Sequence, residues 1–88
     1  MKPHELPDHW LSIRTDLAVR LREIRVDLYG EHGGPMLACA LDLPFRLWCD
    51  YERGRSMPAD VMLRFLAHTQ VEPHWLLTGR GPKYSGRV

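Results

Sequence analysis

Apolar residues at Trp10, Ile13, Leu17, Leu21, Ile24 and Leu28 recur in steps of three and four, the stripe of one amphipathic helix running to about Tyr29. Its start is open, either near Asp8, which is placed to cap it, or after a break between Ser12 and Thr15. The opposite face holds Arg14, Asp16, Arg20, Arg22, Glu23 and Asp27 and reads as a solvated salt-bridging face. A glycine-rich loop, Gly30 to Gly34, follows.

Residues 34–54 read as two short helices about a corner. Pro35 suits a first helical turn, where its missing N–H needs no partner, and Met36, Leu37, Ala38 and Ala40 carry the helix to about Leu41. Pro44 disfavours α conformation at Leu43 and pre-sets its own φ, so a new helix is predicted over 44–53, ending at Gly54, with Asp42 and Leu43 as the corner. Leu37, Ala38, Leu41, Leu43, Trp48 and Tyr51 are expected to face one core. Phe45, Arg46, Cys49, Asp50 and Arg53 are expected to point elsewhere. Ala38 is small enough to let the two helices approach closely.

Ser56 and Pro58 are placed to cap and open a fourth helix, with Val61, Met62, Phe65, Leu66 and Thr69 as its core stripe. Gln70 and Val71 interrupt the pattern. A short fifth helix then carries Pro73 in its first turn and Trp75, Leu76 and Leu77 as anchors, and ends at Gly79. Residues 1–9, with Pro3 and Pro7, read as a flexible arm, 10–79 as the folded domain and 80–88 as a frayed tail. Five helices without a strand predict an all-α, compact five-helix bundle.

Composition places this pattern in one small globular domain: 88 residues, 44% hydrophobic and 26% charged. No apolar run reaches membrane-spanning length and no signal-like apolar core opens the chain, so a cytoplasmic protein with no membrane partner is expected. Cys39 and Cys49 are too few for a disulfide scaffold, and a reducing compartment disfavours a bridge between them. The net charge of +1 does not advertise a nucleic-acid binder. Its distribution changes that picture, because residues 1–42 hold five basic against seven acidic residues and residues 43–88 hold seven against four.

The corner residues Leu37-Ala38, Leu41-Asp42-Leu43-Pro44, Trp48, Tyr51-Glu52 and Gly54 resemble the helix-turn-helix of the phage-repressor-like (Xre-type) DNA-binding family. The resemblance extends from about Leu21 to Tyr84, because Tyr51-Glu52-Arg53-Gly54-Arg55 before Pro58 looks like the exit of that family's recognition helix. The run from Val71 to Pro82 looks like its fifth-helix signature. It implies a lambda-repressor-like fold whose third helix enters the major groove of double-stranded DNA, commonly in a homodimer, to regulate transcription.

Carried over by position, the resemblance makes Phe45, Arg46, Cys49 and Asp50 base-facing. Arg46 suits the O6 and N7 of guanine and Phe45 a thymine methyl, while Asp50 replaces a neutral amide by a carboxylate that suits cytosine N4 or repels phosphate. Gly33 and Gly34, through backbone amides, and Arg53 and Arg55, with Arg80 and Lys83 beyond them, are phosphate candidates. Glu52 resembles the family's recognition-helix glutamate and implies an ion pair with Arg25. Ala38, Trp48 and Trp75 have structural roles.

Catalysis is not expected. His4, His9, His32, His68 and His74 are scattered without zinc-ligand spacing, and Asp50 and Glu52, two apart on a helix, face different ways. No metal, cofactor or small-molecule ligand is implied. The rival expectation is a helix-turn-helix redeployed for protein contact or dimerisation, its Phe45 face and Trp75-Leu76-Leu77 helix meeting protein instead of DNA.

Overall fold

In the computed structural model, which describes residues 8–85 and their side chains from residue 12 onward, five helices follow one another. They are α1 (Asp8–Tyr29), α2 (Gly34–Ala40), α3 (Phe45–Tyr51), α4 (Ala59–Thr69) and α5 (Pro73–Thr78). The arm at residues 1–7, the capping role of Asp8, the packing of Trp10 and the tail beyond residue 85 lie outside what is described. α1 runs unbroken through Ser12 to Thr15. It stops at Gly30, whose φ of +84° and N–H bond to the Val26 carbonyl at 2.9 Å make a left-handed helix end.

The corner between α2 and α3 is closed by paired backbone bonds. Asp42 takes φ +58°, its N–H donates to the Cys39 carbonyl, and the Leu43 N–H reaches back to the Ala38 carbonyl at 2.9 Å. That is the paired bonding of a Schellman motif, with Asp in the place glycine usually fills; its short polar side chain tolerates left-handed backbone. Pro44 (φ −61°, ψ 140°) then sits just outside α3. The helix ends at Tyr51, earlier than the expected Arg53. Arg53 and Gly54 donate to the carbonyls of Asp50 and Tyr51, three residues back, so the last turn is tightened out of α geometry.

α4 departs similarly from expectation. Pro58, not Ser56, is its N-cap residue, and no side chain caps it. Gln70, at φ +61°, ends it, and Gly79, at φ +76°, ends α5.

One core joins all five helices. Leu21 and Ile24 of α1, Leu37 and Ala38 of α2, Trp48 and Tyr51 of α3, Val61 and Phe65 of α4 and Trp75 and Leu76 of α5 are buried together, with Leu41 and Val71 from the junctions. Leu43 packs against them partly buried. Trp48 stacks on Phe65 with ring centroids 5.6 Å apart and meets Tyr51 edge-on at 6.4 Å. The helical stripes overreach at their ends, since Ile13, Leu28 and Leu77 are exposed. A small globule cannot cover the outer ends of a long helix.

The charged face of α1 is not merely solvated. Arg14 donates to the Gly54 carbonyl at 2.8 Å and Arg20 to the Leu76 carbonyl at 3.2 Å, tying α1 to the end of α3 and to α5. Residues 83–85, expected to fray, return to the bundle. Tyr84 forms an isolated antiparallel bridge with Val71, and the Glu72 and Ser85 amides donate to the Lys83 and Gln70 carbonyls. Lys83 Nζ lies 2.6 Å from Glu23 and 2.8 Å from Asp27, and the Tyr84 hydroxyl donates to Asp27 at 2.9 Å. These bonds from Lys83 and Tyr84 hold the Asp27 carboxyl below its usual range. Burial, then the bond to Asp27, pushes the Tyr84 phenol up to about 12.

Among the described residues, no helix is long and apolar enough to cross a membrane, and Cys39 and Cys49 are both free thiols.

Candidate functional site

The outer face of α3 is the site that the sequence singles out, and its inner face determines how it is held. Trp48 and Tyr51 point into the core, so the helical period turns Phe45, Arg46, Cys49 and Asp50 outward. Phe45 is 47% exposed and Arg46 is exposed, whereas Cys49 and Asp50 are half-buried. Among the described residues the Arg46 side chain makes no hydrogen bond or ion pair.

Four arginines fix the frame around this face. Arg25, on α1, forms a two-pronged bond with Glu52, from Nε to Oε2 at 2.9 Å and from Nη2 to Oε1 at 2.8 Å, with the two side chains only 11% and 13% exposed. The same guanidinium donates to the Glu31 carbonyl, and the Trp48 indole N–H donates to Glu52. The bond to Glu52 raises the already high pKa of Arg25, so the guanidinium stays charged. Arg64, on α4, donates to the Leu41 carbonyl at 2.8 Å, satisfying the end of α2 at the corner. Arg14 and Arg20 act from α1 as described. Ala38 is buried among the core residues that α2 and α3 share, and Trp75 is buried with Lys83 5.3 Å above its ring.

Gly33 and Gly34 are buried, and the Gly33 amide donates to the Gly30 carbonyl at 3.1 Å. Their lack of a side chain serves packing. A Cβ on Gly33 would lie 2.2 Å from the Tyr29 carbonyl oxygen, and one on Gly34 would lie 2.6 Å from a ring carbon of Phe45. Lys83 is engaged by Glu23 and Asp27. Arg80 is exposed, on the segment after α5. Arg53 and Arg55 both approach Asp50, at 3.9 Å and 3.3 Å.

An open groove of about 270 Å³ lies between the glycine-rich loop and α3, lined by Arg25, His32, Pro35, Phe45, Cys49 and Glu52. Sequence reasoning missed His32 here and the anchoring roles of Arg14 and Arg64. Neither arginine stands in a pattern that marks a backbone carbonyl 40 or 23 residues away as its partner. Among the described residues no group of three His, Cys, Asp or Glu side chains is arranged to hold a metal ion. Compared with models of known protein families, with curated proteins and with solved structures, the chain matches none.

Proposed function

We propose that this chain is a lambda-repressor-like helix-turn-helix domain that binds double-stranded DNA sequence-specifically and regulates transcription in the cytoplasm, in the manner of a repressor. α2 and α3 form the helix-turn-helix, and α3 enters the major groove. A homodimer is part of the proposal, since two copies of α3 about 34 Å apart match a palindromic site. The role needs no cofactor and no catalysis.

One observation carries the reading. Arg46 stands exposed and without a protein partner on the outward face of α3, a helix whose other face is locked by Trp48, Tyr51 and the Arg25–Glu52 pair. A base-reading helix needs that combination, because a bidentate contact to guanine discriminates only if its backbone is held still. Arg53 and Arg55 follow at the end of the helix, where backbone phosphates flank an inserted helix.

The test is a fluorescence-anisotropy titration against a randomised duplex pool at low and moderate salt, followed by selection of the bound sequences. Binding should weaken with salt and yield a motif. Arg46→Ala should lose about 1 to 3 kcal/mol on that motif and relax one base position, while retaining its fold by circular dichroism. Absence of binding at low salt overturns the proposal and turns attention to the exposed Phe45 as a protein-contact residue on the same face.

A further inference from the structure

The chain leaves α3 through a turn that closes two arginines on one carboxylate. The Asp50 carbonyl accepts the N–H of Arg53 at 3.0 Å and that of Arg55 at 3.1 Å. Gly54, between them, has φ +104°, a conformation that L side chains rarely adopt. Its carbonyl is held by Arg14 of α1 at 2.8 Å. This backbone brings both guanidinium groups to the Asp50 side chain. Arg53 Nη1 lies 3.9 Å from Oδ1, and Arg55 Nη1 lies 3.3 Å from Oδ2. Each anionic oxygen thus faces its own cation. The arginine side chains remain 78% and 61% exposed, and the carboxylate 32%.

Two guanidinium groups converging on a pair of anionic oxygens is also how a phosphodiester is captured. Starting from the reading of α3 as a DNA-contacting helix, we infer that Asp50 is an internal stand-in for phosphate, an autoinhibitory carboxylate that occupies Arg53 and Arg55 and weakens their grip on the DNA backbone. A phosphate reaching these arginines must displace the carboxylate. Part of the Coulomb energy gained is then lost from the internal pairs. Because both pairs are solvent-exposed, the attenuation is modest and salt-sensitive, a brake on affinity and not a block. Asp50 is a positioning and tuning residue here, acting through the two arginines.

The experiment compares wild type, Asp50→Asn, Asp50→Glu and Asp60→Asn by anisotropy on a random duplex over a range of salt, with Asp50→Asn also placed in an Arg53→Gln/Arg55→Gln background. Asp60 lies on α4 and pairs with Arg64, so neutralising it makes the same change in net charge away from the turn. Asp50→Asn should bind about three- to tenfold more tightly at low salt, with a steeper salt dependence. Asp50→Glu and Asp60→Asn should stay within about twofold of wild type, and the gain from Asp50→Asn should fall below about twofold once both arginines are gone. If the gain persists in that background, the carboxylate acts by plain repulsion and the inference fails. If Asp50→Asn and wild type bind equally, the DNA reading stands and the brake does not. If neither binds duplex at low salt, the DNA reading falls and the brake with it.

Discussion

Gly33 and Gly34 are adjacent, both buried, and needed for different reasons. Gly33 has an ordinary φ of −88°, so its backbone imposes no demand for glycine. The demand is steric, since a Cβ there would sit 2.2 Å from both the Cβ and the carbonyl oxygen of Tyr29 and 2.6 Å from its carbonyl carbon. None of those atoms swings aside without moving the end of α1. Gly33→Ala should therefore cost about 1 to 3 kcal/mol, read as a lowered urea midpoint. At Gly34 the obstacle is the Phe45 ring, at 2.6 Å and 3.4 Å, and that ring is half in solvent and free to rotate away. Gly34→Ala should thus change the midpoint by less than about 1 kcal/mol, helped by alanine's better helix propensity. It should still alter duplex binding if Phe45 faces bases. In the sequence both glycines read as permissive loop residues and as phosphate candidates, because spacing along the chain does not place Tyr29 and Phe45 against them.

Among the elements, the segment after α5 behaves least as its sequence reads. Lys83 and Tyr84 converge on Asp27 across 56 and 57 residues, and Lys83 also reaches Glu23. The pH dependence of this strap follows from the direction of the Asp27 shift. Its folded pKa lies below the ordinary 3.8, chiefly through the Lys83 bond and then the Tyr84 bond, so its contribution is full above that value and vanishes as pH falls through the folded pKa. Lys83 shifts the opposite way, above its ordinary 10.5, so its share is lost only in strong alkali. Asp27→Asn should lower stability by about 1 kcal/mol near neutrality, a figure kept small because solvent screens these partly exposed groups. The gap from wild type should close as pH falls below the ordinary carboxylate range and through the lowered folded pKa, as urea midpoints against pH will report. Such a strap is illegible in sequence, where Gly81, Pro82 and a polar end look like any terminus. The α2–α3 corner is legible because its signals are local: Pro35 opens one helix, Pro44 the next, and Gly54 ends the unit. The outward positions of Phe45, Arg46, Cys49 and Asp50 follow from helical period once Trp48 and Tyr51 are assigned inward. The Arg25–Glu52 pair was legible only through a family resemblance, since two residues 27 apart on different helices share no spacing rule.

For the whole molecule, a net charge of +1 understates and misplaces the available positive charge. Arg14, Arg20, Arg25, Arg53, Arg55, Arg64 and Lys83 are all engaged in internal bonds. Among the described residues this leaves the side chains of Arg22, Arg46 and Arg80 without a polar partner, and only Arg46 lies on α3. The arginines that brace α3 from α1 and α4 are therefore distinct from Arg46, whose aim depends on how firmly the bundle holds α3. Phe65 is the test of that dependence. It is fully buried on α4, stacks on Trp48 at 5.6 Å, and belongs to the single core that links all five helices. One shared core predicts one cooperative transition, so far-UV circular dichroism and tryptophan fluorescence should report the same urea midpoint. At roughly 0.05 to 0.15 kcal/mol per residue, a chain of this length holds only about 4 to 13 kcal/mol. Phe65→Ala, expected to cost about 3 to 5 kcal/mol, would consume much of that reserve. Phe65→Leu keeps an apolar side chain and should cost about 1 to 2 kcal/mol, leaving the fold intact at 25 °C while removing the flat surface that seats Trp48. If the mounting of α3 sets the precision of its outer face, Phe65→Leu should weaken binding to the selected motif more than binding to random duplex, because only the motif depends on the aim of Arg46. Equal losses on both duplexes would show that the α4 contact stabilises the fold without tuning the outer face of α3.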